Sequence, residues 1–372
     1  MMKPELRPAR PYFSSGPCAK PPGWSSDKLD TEVLGRSHRS GLGKARLKLA
    51  IDLMRETLKL PDSHRIGIVP ASDTGAYEMA MWTMLGARPV TAMAWESFGE
   101  GWVTDAVKQL KLDPTVIRAD YGERPDLSQV DWSSDVLFTW NGTTSGVRVP
   151  DAEWIPATRE GLSFADATSA VFAYDIDWDK IDVATFSWQK ALGGEGGHGV
   201  LILGPRAVER LENFTPDRPL PKVFRLVSKG TLAEGIFRGE TINTPSMLAV
   251  EDAIFALEWA KAQGGLDAMI ARTNANAAAL DAIVAERDWL GHLAVDPASR
   301  SKTSVCLTVD ASPERIKAMV KSLEAEGVAY DIASYRDAPP GLRIWCGATV
   351  DSADVAALGP WLDWAYATSI SD

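Results

Sequence analysis

The sequence predicts an α/β protein in which helices cover both faces of a mostly parallel sheet, followed by a smaller α+β domain. Short apolar segments such as RIGIVP at 65–70 alternate with segments of helical periodicity through the first part of the chain. After INTPS at 242–246 the order changes to two long helices and then a strand–helix–strand–strand unit. We therefore predict a large domain over 21–255 and a small domain over 256–372, on which the N-terminal arm 1–20 packs.

The individual elements follow from apolar spacing and from the residues that interrupt it. Leu47, Ile51, Met54 and Leu58 recur at helical spacing, and Pro61 ends that run. In the first part of the chain we predict a helix over 44–60, a strand over 65–70, a helix over 76–85, a strand over 89–95, a helix over 101–110, and strands at DVLFTWN, LSFADA, DVATFSW and GVLILG. In the second part we predict helices over 247–261 and 266–287, a strand over 303–310, a helix over 313–326, strands at GVAYDIA and GLRIWC, and a closing helix from 353.

Composition and charge limit the possible partners. The 372 residues carry 39 basic and 50 acidic side chains, a formal charge of −11, which argues against a nucleic-acid backbone as the main partner. The three cysteines, Cys18, Cys306 and Cys346, fit neither a disulfide framework nor a zinc site, so we expect a reducing compartment and no metal. The N-terminus lacks an apolar signal segment and no window resembles a membrane span, so we expect a cytoplasmic protein that binds no membrane.

The stretch TFSWQKALGGEGGHG at 185–199 holds a lysine with three interpretations. Lys190 could be a solvated surface cation, a phosphate ligand in a nucleotide loop, or the covalent anchor of a cofactor. The nucleotide interpretation fails on order, because a phosphate loop places its glycines before the lysine and follows it with Ser or Thr. Lys190 follows a buried-type strand, at the sheet edge where α/β folds bind their ligands, which lowers the weight of the surface interpretation.

Covalent attachment to pyridoxal phosphate makes further demands that the sequence can meet. Asp166 ends a strand in SFADATSA and could hold a proton on the pyridine nitrogen, although it could also be a loop acid or a helix cap. ASDTGAYE at 71–78 runs from a strand into a helix whose amides could bind a phosphate. Trp102 could stack on the ring or could be a core residue.

These residues lie in a colinear set of motifs that resembles the phosphoserine aminotransferases, a family within the class V, fold-type I pyridoxal-phosphate enzymes. The resemblance covers nearly the whole chain and rests on eight motifs in order, none of which is specific alone. They are FSSGP at 13–17, SHRS at 37–40, GW at 101–102, NGTTSG at 141–146, ADATS at 165–169, WQK at 188–190, NTPS at 243–246 and GLRIW at 341–345. The fold it implies has a seven-stranded, mostly parallel sheet in the large domain.

The resemblance implies a role for each matching residue. Lys190 would form the imine with the cofactor and later move the substrate proton, Asp166 would bind the pyridine nitrogen, and Trp102 would stack on the ring. The other implied cofactor contacts are Thr143, Gln189, Asp73, Thr74, Asn243 and Thr244, the last two reaching the phosphate of the neighbouring subunit in a homodimer. The implied substrate contacts are Arg343 for the α-carboxylate, His38, Arg39 and Arg336 for the distal anion, and Ser15 in the arm.

Plainer interpretations stand beside several of these roles. Arg39 and Arg343 could form surface ion pairs, and Asn243 could cap the helix that follows it. His198 is expected to be structural. Two positions depart from many relatives: the phosphate loop contains Asp73, whose charge would repel a phosphate unless it points away, and Tyr335 stands where a histidine is common before Arg336.

The implied activity is transfer of the amino group of L-glutamate to 3-phosphohydroxypyruvate, giving O-phospho-L-serine and 2-oxoglutarate by a ping-pong mechanism. This is a step of serine biosynthesis, and a four-carbon phosphorylated analogue would connect it to pyridoxine biosynthesis. The alternatives are another class V transaminase, of the alanine or serine–glyoxylate or pyruvate type, and a non-catalytic cofactor-binding homologue. A cysteine desulfurase is disfavoured because Cys346 lies in an apolar strand.

Overall fold

The computed structural model describes residues 2–369 and contains a central sheet, a small sheet and flanking helices. Its strands are β1 Arg65–Pro70, β2 Val90–Ala94, β3 Thr115–Arg118, β4 Asp135–Thr139, β5 Asn141–Gly142, β6 Val147–Arg148, β7 Ser163–Asp166, β8 Val183–Ser187, β9 His198–Leu203, β10 Val227–Ser228, β11 Thr231–Leu232, β12 Leu290–His292, β13 Ser304–Val309 and β14 Leu342–Trp345. Its α-helices are α1 Gly41–Thr57, α2 Ser72–Met84, α3 Ser97–Thr104, α4 Pro205–Asn213, α5 Met247–Gln263, α6 Gly265–Ala285, α7 Pro313–Ala325 and α8 Ser352–Thr368.

The central sheet has seven strands in the order β1-β9-β8-β7-β4-β2-β3. Strand β9 is antiparallel to both of its neighbours, and the other neighbouring pairs are parallel. In the register of the sheet, Asp166 at the end of β7 lies opposite Thr139 of β4 and Thr185 of β8. The prediction of a mostly parallel, seven-stranded sheet is confirmed.

Both faces of the central sheet are buried, as expected where helices cover the two sides. Successive residues of a strand alternate between two apolar cores. In β9, Val200 and Ile202 belong to one core and Leu201 and Leu203 to the other. The first core also contains the apolar residues of α1, α5 and the small sheet, whereas the second contains those of α2 and α3. The sheet therefore forms a rigid platform between two packed layers.

Local capping residues set where the helices begin. Helix α1 starts at Gly41 because the Ser40 side chain accepts a hydrogen bond from the Gly43 amide, at 3.1 Å. Helix α3 starts before the predicted residue 101 because the Glu96 carboxylate accepts from the Gly99 amide at 2.8 Å. A π-helical turn, Asp105–Gln109, follows α3. Strands β3 and β12 and helix α4 were not predicted, since they are short.

The small sheet is antiparallel, in the order β12-β13-β14. The predicted strand at GVAYDIA is wrong, because this segment forms only isolated bridges, including one between Tyr12 and Tyr330. The arm lies along the C-terminal part of the chain: the Trp345 amide donates to the Phe13 carbonyl at 3.0 Å. The predicted border between 255 and 256 falls inside α5, and the division into 21–255 and 256–372 with arm 1–20 stays a prediction.

Among the helices that the structure describes, none has the length and apolar character needed to cross a bilayer.

Candidate active site

The site is built at the carboxyl ends of the parallel strands. Strand β7 ends at Asp166, and Lys190 comes three residues after the end of β8. Strands β1 and β2 run directly into α2 and α3, so the first turn of α2 and Trp102 of α3 reach the same edge. The turn between β5 and β6 brings Thr143 to it as well. Sheet order thus gathers residues that are far apart in the sequence.

These residues surround a cavity of about 340 Å³. Of the residues that the sequence singled out, those that line it are Asp73, Thr74, Trp102, Thr143, Asp166, Gln189 and Lys190. The lining residues that sequence reasoning missed are Gly16, Pro17, Ser72, Phe98, Thr139, Thr168 and Gly196. Thr168 lies in ADATS and Gly16 and Pro17 lie in FSSGP, so their motifs were the available signal; Phe98 and Thr139 carry none.

The amine of Lys190 is held inside the chain rather than in solvent. Its Nζ donates a hydrogen bond to the backbone carbonyl of Ser15. A Cβ on Gly16 would lie 2.6 Å from that Nζ, and the φ of Gly16 is +146°, so a glycine is needed where the arm passes the lysine. Burial lowers the pKa of the Lys190 ammonium, and the positive charge of Arg343 lowers it further, while Cys18 acts in the opposite direction.

Asp166 is fixed by two donors from different elements. Its Oδ2 accepts from the Trp102 indole nitrogen at 3.0 Å, and its Oδ1 accepts from the Thr168 amide at 3.1 Å. Asp166 is only 5% exposed, and Trp102 packs on Tyr77 with ring centroids 4.5 Å apart. The carboxylate is thus held at one wall of the cavity, and it is not the N-cap of a helix.

The first turn of α2 forms another wall of the cavity. Ala71 and Ser72 have left-handed backbone conformations, with φ of 68° and 58°. Both of their amides donate to the carbonyl of Gly197, at 3.1 and 3.3 Å, which holds this strained turn in place. Gln189 secures it from the other side, since its Nε2 donates to the Ser72 hydroxyl at 3.1 Å.

Asp73 is 7% exposed, and one of its carboxylate oxygens is buried without a hydrogen-bond partner. Burial raises the pKa of the Asp73 carboxyl, and the negative charge of Asp166 raises it further, whereas the hydroxyls of Thr185 and Thr168 act to lower it. The Asp73 carboxyl therefore lies at the cavity wall, close enough to Asp166 for the two charges to interact.

Several buried polar atoms around the cavity lack partners, which tests whether the site fits a polar cofactor. They are Asp73 Oδ1, Thr139 Oγ1, Thr168 Oγ1, Thr185 Oγ1, Ser187 Oγ and Gln189 Oε1. Leaving so many buried polar groups unpaired is costly, and a ligand with a phosphate and ring heteroatoms would pair some of them. The donor set, the cavity volume and the buried amine together fit pyridoxal phosphate.

Thr143 belongs to a hydrogen-bonded series of hydroxyl-bearing residues between the cavity and β13 of the small sheet. Its Oγ1 lies in hydrogen-bond contact with the Ser169 hydroxyl, and its carbonyl accepts from the Ser304 hydroxyl at 2.6 Å. The same Ser304 hydroxyl lies 3.1 Å from the hydroxyl of Ser15. Ser15 is 1% exposed, and its hydroxyl is connected to Thr143 through Ser304, behind the cavity wall.

The predicted anion-binding arginines differ in their settings. Arg343, on β14, is half-buried, and its Nε is buried without a partner. Its guanidinium carbon lies 5.6 Å from the ring centroid of Tyr335, and that of Arg336 lies 5.5 Å from the same ring. Arg336 is exposed and lies 3.5 Å from the Asp337 carboxylate. Phe98 packs on Tyr335 with centroids 5.6 Å apart, so the aromatic pair connects the cavity to these arginines.

Like Ser15, Arg336 and Arg343, four further predicted residues do not line the cavity. Arg39, Asn243 and Thr244 are exposed, and His38 is half-buried with its Nε2 unpaired. The proposed alternative for Asn243, a helix cap, is wrong: the Ser246 hydroxyl caps α5 by accepting from the Ala249 amide at 3.3 Å. His198 helps to hold the start of α5, because its Nε2 accepts a hydrogen bond from the Ser246 amide at 3.1 Å.

Comparison with known proteins agrees with this architecture. Residues 104–331 match the Aminotransferase class-V family. The chain is 59% identical to a phosphoserine aminotransferase of Methanosarcina barkeri over 98% of this chain and 99% of that protein.

Solved structures resemble the fold at lower identity. A phosphoserine aminotransferase from Cytophaga hutchinsonii superposes with a TM-score of 0.84 at 21% identity, covering 95% of this chain and 98% of that one. A pyridoxal-phosphate-bound phosphoserine aminotransferase from Trichomonas vaginalis gives 0.76 at 17% identity, covering 95% and 99%. These structural likenesses support the fold.

Proposed function

The chain belongs to the phosphoserine aminotransferases of the class V aminotransferase family, and from that premise we propose how its residues transfer the amino group of glutamate to 3-phosphohydroxypyruvate. The observation that carries the proposal is one cavity lined by Lys190, Asp166 and Trp102. The enzyme depends on pyridoxal phosphate. When bound, pyridoxal phosphate supplies an aldehyde that condenses with amines and a protonated ring that withdraws the electrons left at Cα after deprotonation.

Lys190 is the anchoring amine and the proton carrier. Burial and Arg343 lower the pKa of its ammonium, so a larger share of the side chain is the free amine that can act as nucleophile and base. Its position over the Ser15 carbonyl keeps Nζ at the cavity wall. Lys190 Nζ would take the proton from Cα of glutamate and pass it to the aldehyde carbon of the cofactor. In the second half-reaction it would carry a proton from that carbon to Cα of the product.

Asp166 holds the proton on the ring nitrogen. Two hydrogen bonds, from the Trp102 indole and the Thr168 amide, fix its orientation. A carboxylate so held keeps the nitrogen cationic, which makes the ring a stronger electron acceptor. Trp102 orients Asp166 and would also pack on the face of the bound ring, so a change at Trp102 should disturb both contacts.

The first turn of α2 binds the cofactor phosphate. Thr74 lies on this turn beside the amides at the helix start, and Gln189 joins it through Ser72. The raised pKa of the Asp73 carboxyl favours its neutral form, which repels a phosphate less than a carboxylate would. Thr143 contributes a hydroxyl at the phenolic oxygen of the ring.

Recognition of the acceptor needs two cationic positions. Arg343 binds the α-carboxylate with its planar guanidinium, and its buried Nε has no hydrogen-bond partner among residues 2–369. Arg39, with His38, and Arg336 bind the distal phosphate of the keto acid or the side-chain carboxylate of glutamate. Ser15 joins the substrate from the arm.

The last part of the proposal is a homodimer in which residues 243–244 complete the neighbouring site. Asn243 and Thr244 lie outside the cavity of their own chain. We propose that they reach the cofactor phosphate of the partner, which makes the site complete only in the dimer. Mixing a Lys190→Ala variant with an N243A/T244A double variant would then restore part of the activity, because one site of the mixed dimer is intact. If the mixture of two dimeric variants stays inactive, the shared site is wrong.

The activity is tested with purified protein, glutamate and a panel of acceptors: 3-phosphohydroxypyruvate, pyruvate, glyoxylate and oxaloacetate. We expect kcat/KM for the phosphorylated acid to exceed that for the short keto acids by at least about 100-fold, because its phosphate gains charge-assisted contacts with Arg39 and Arg336 that a short keto acid cannot make. Equal or higher turnover with pyruvate or glyoxylate would favour a class V transaminase of the glyoxylate or pyruvate type. Cofactor binding without turnover would indicate a non-catalytic homologue.

A further inference from the structure

A buried carboxylate joins two parts of the site that carry cofactor contacts. Glu96 is the last residue of the loop between β2 and α3. It is also the N-cap of α3, the helix that carries Trp102. We propose that Glu96 is a positioning residue that fixes α3 relative to the turn carrying Thr143, and that its ionised form is the one that holds the cofactor site in order. The inference rests on the proposed function, since it concerns the same site.

The two oxygens of Glu96 bind different elements. Oε1 accepts from the Gly99 amide at 2.8 Å, which caps α3. Oε2 accepts from the Thr144 hydroxyl at 2.7 Å and from the Thr144 amide at 3.3 Å. Thr144 follows Thr143 directly, and Trp102 lies on the capped helix. A single side chain therefore ties together the elements that present the indole and the hydroxyl to the cavity.

The surroundings leave Glu96 little freedom. It is 4% exposed, and a Cβ on Gly142 would lie 2.8 Å from its Cγ, so the turn passes directly over its side chain. The Ser97 amide donates to the Thr144 hydroxyl at 3.3 Å, and the Ser97 hydroxyl lies 2.6 Å from that of Tyr121. These contacts join the start of α3 and the turn by a second, parallel set of hydrogen bonds.

Charged groups face Glu96 from several elements. Asp166 of β7 and Lys190 lie on the cofactor side, and each enters the electrostatic balance with Glu96. On the outer side Glu96 borders a second cavity, of about 500 Å³, whose titratable lining residues besides Glu96 are Glu100, Arg118, Asp120, Tyr121 and Asp337. Glu96 thus lies between the cofactor cavity and a mainly acidic cleft.

Protonation changes what Glu96 can bind. Burial raises the pKa of Glu96 to about 7, against the lowering effect of the hydrogen bonds from Thr144 and Gly99. The carboxylate accepts all three donors, whereas the acid must place its own hydrogen against one of them. As the pH falls through 7, the connection between α3 and the turn weakens, and Trp102 and Thr143 lose their fixed relation.

The test compares Glu96→Gln with Glu100→Gln, an exposed glutamate on the same helix whose partner is Arg118, at 2.9 Å. Glu96→Gln keeps the shape but presents an amide group to the Thr144 donors. For the holoenzyme we expect the circular dichroism band of the bound cofactor to fall and the cofactor to dissociate about tenfold more readily, with Glu100→Gln unchanged. We also expect kcat to fall about tenfold with little change in KM for the phosphorylated acid.

The pH profile separates positioning from a general loss of stability. The wild-type cofactor band should strengthen as the pH rises through 7, whereas the Glu96→Gln band should not follow that titration. Thr144→Val, which removes one donor and leaves the carboxyl, should give a smaller loss in the same direction. Matching bands and cofactor affinities for Glu96→Gln and Glu100→Gln would overturn the inference. Cofactor binding is measured without substrate, so these readouts stand even if the assay finds a different acceptor.

Discussion

The cofactor end and the anion-recognition end of the site are built differently. Lys190, Asp166 and Trp102 are anchored at the edge of the central sheet and hydrogen-bonded within one chain. Arg39 and Arg336 lie on exposed loops outside the cavity, and Arg336 is 80% exposed. Arg343 combines features of both ends, because it lies on a strand while its Nε lacks a hydrogen-bond partner among the described residues. One chain thus assembles the groups that move protons, whereas recognition of the distal anion waits for the substrate. The cofactor phosphate, as we propose, gains two further contacts from a second subunit.

The contrast follows from the cost of burying charge. A buried amine and carboxylate need fixed partners, so the chemical groups are held by strands and helices whose positions the sheet determines. Arginines that bind a phosphate from solvent gain from staying hydrated until the ligand arrives, and a loop provides that freedom. Substitutions should therefore have large, substrate-independent effects at the sheet edge and smaller, substrate-selective effects on the loops.

Lys190→Ala should give the largest effect. Removing the base should lower kcat by about 10²–10⁴-fold or more for every acceptor, because the proton at Cα has no carrier. Borohydride reduction of the wild-type holoenzyme should attach the cofactor covalently, detectable by intact mass, and the variant should stay unlabelled. The control is Lys48→Ala, an exposed lysine of α1 paired with Asp52. If the Lys190→Ala enzyme is labelled and fully active, Lys190 is neither the anchor nor the proton carrier. The contrast between the cofactor end and the anion-recognition end would then be wrong.

Arg343→Ala should come next in size. Loss of the α-carboxylate partner should lower kcat/KM by about 100-fold for glutamate and for phosphorylated and short keto acids alike, since all share that carboxylate. Arg343→Lys should recover only part of this loss, because an ammonium cannot form the paired contact. Steady-state kinetics with each substrate measure it. A loss confined to the phosphorylated acid would place Arg343 at the distal anion instead.

Arg39→Ala should separate the two ends of the substrate. We expect KM for 3-phosphohydroxypyruvate to rise about tenfold, as for loss of one charge-assisted hydrogen bond, and KM for glyoxylate to stay unchanged. Arg36→Ala is the matched control, an exposed arginine of the same loop whose carboxylate partner, Glu32, is 4.0 Å away. Equal increases for both acceptors would mean that Arg39 does not read the phosphate.

Asp73→Asn should have the smallest effect and should appear in stability. The folded-state pKa of Asp73 is raised, by burial first and then by Asp166, so Asp73 favours folding while protonated and loses this contribution as the pH rises through the folded pKa. At alkaline pH the asparagine variant of the apoprotein should therefore be more stable than wild type by about 1 kcal/mol. This corresponds to a melting temperature roughly 1–2 °C higher, and the difference should shrink toward pH 4.

The control for Asp73 is Asp52→Asn, an exposed acid of α1 whose melting curve should follow wild type at each pH. If Asp73→Asn instead melts lower at alkaline pH, Asp73 is an ionised acceptor and its carboxyl belongs to the phosphate loop.

Strong local patterns could be predicted from the sequence. Apolar runs located β1, β2 and β9 within a residue or two, because a strand buried on both faces must be apolar throughout. Short or half-exposed elements such as β3 and β12 escaped, since their stability depends on a neighbouring strand. GVAYDIA has a strand-like composition, yet it pairs only through isolated bridges at the arm and at β14.

The candidate site divides in the same way. Lys190 and Asp166 were found because Lys190 follows a strand and Asp166 ends one, and motif order added Thr143 and Gln189. Glu96 carried no signal, because its donors lie at Gly99 and Thr144 and the second is 48 residues away. The burial of the Asp73 carboxyl could not be predicted either, since it depends on how α2 begins, with left-handed conformations at Ala71 and Ser72.

By itself, the sequence determined the α/β class, the strand ends that carry the chemical groups and the family, because these depend on local periodicity and on motif order. The tertiary structure decided which of those groups share a cavity, which carboxyls are buried and which arginines stay in solvent. The physical reason is that desolvation and hydrogen-bond pairing depend on the order of strands in the sheet, which brings together residues that no local pattern connects.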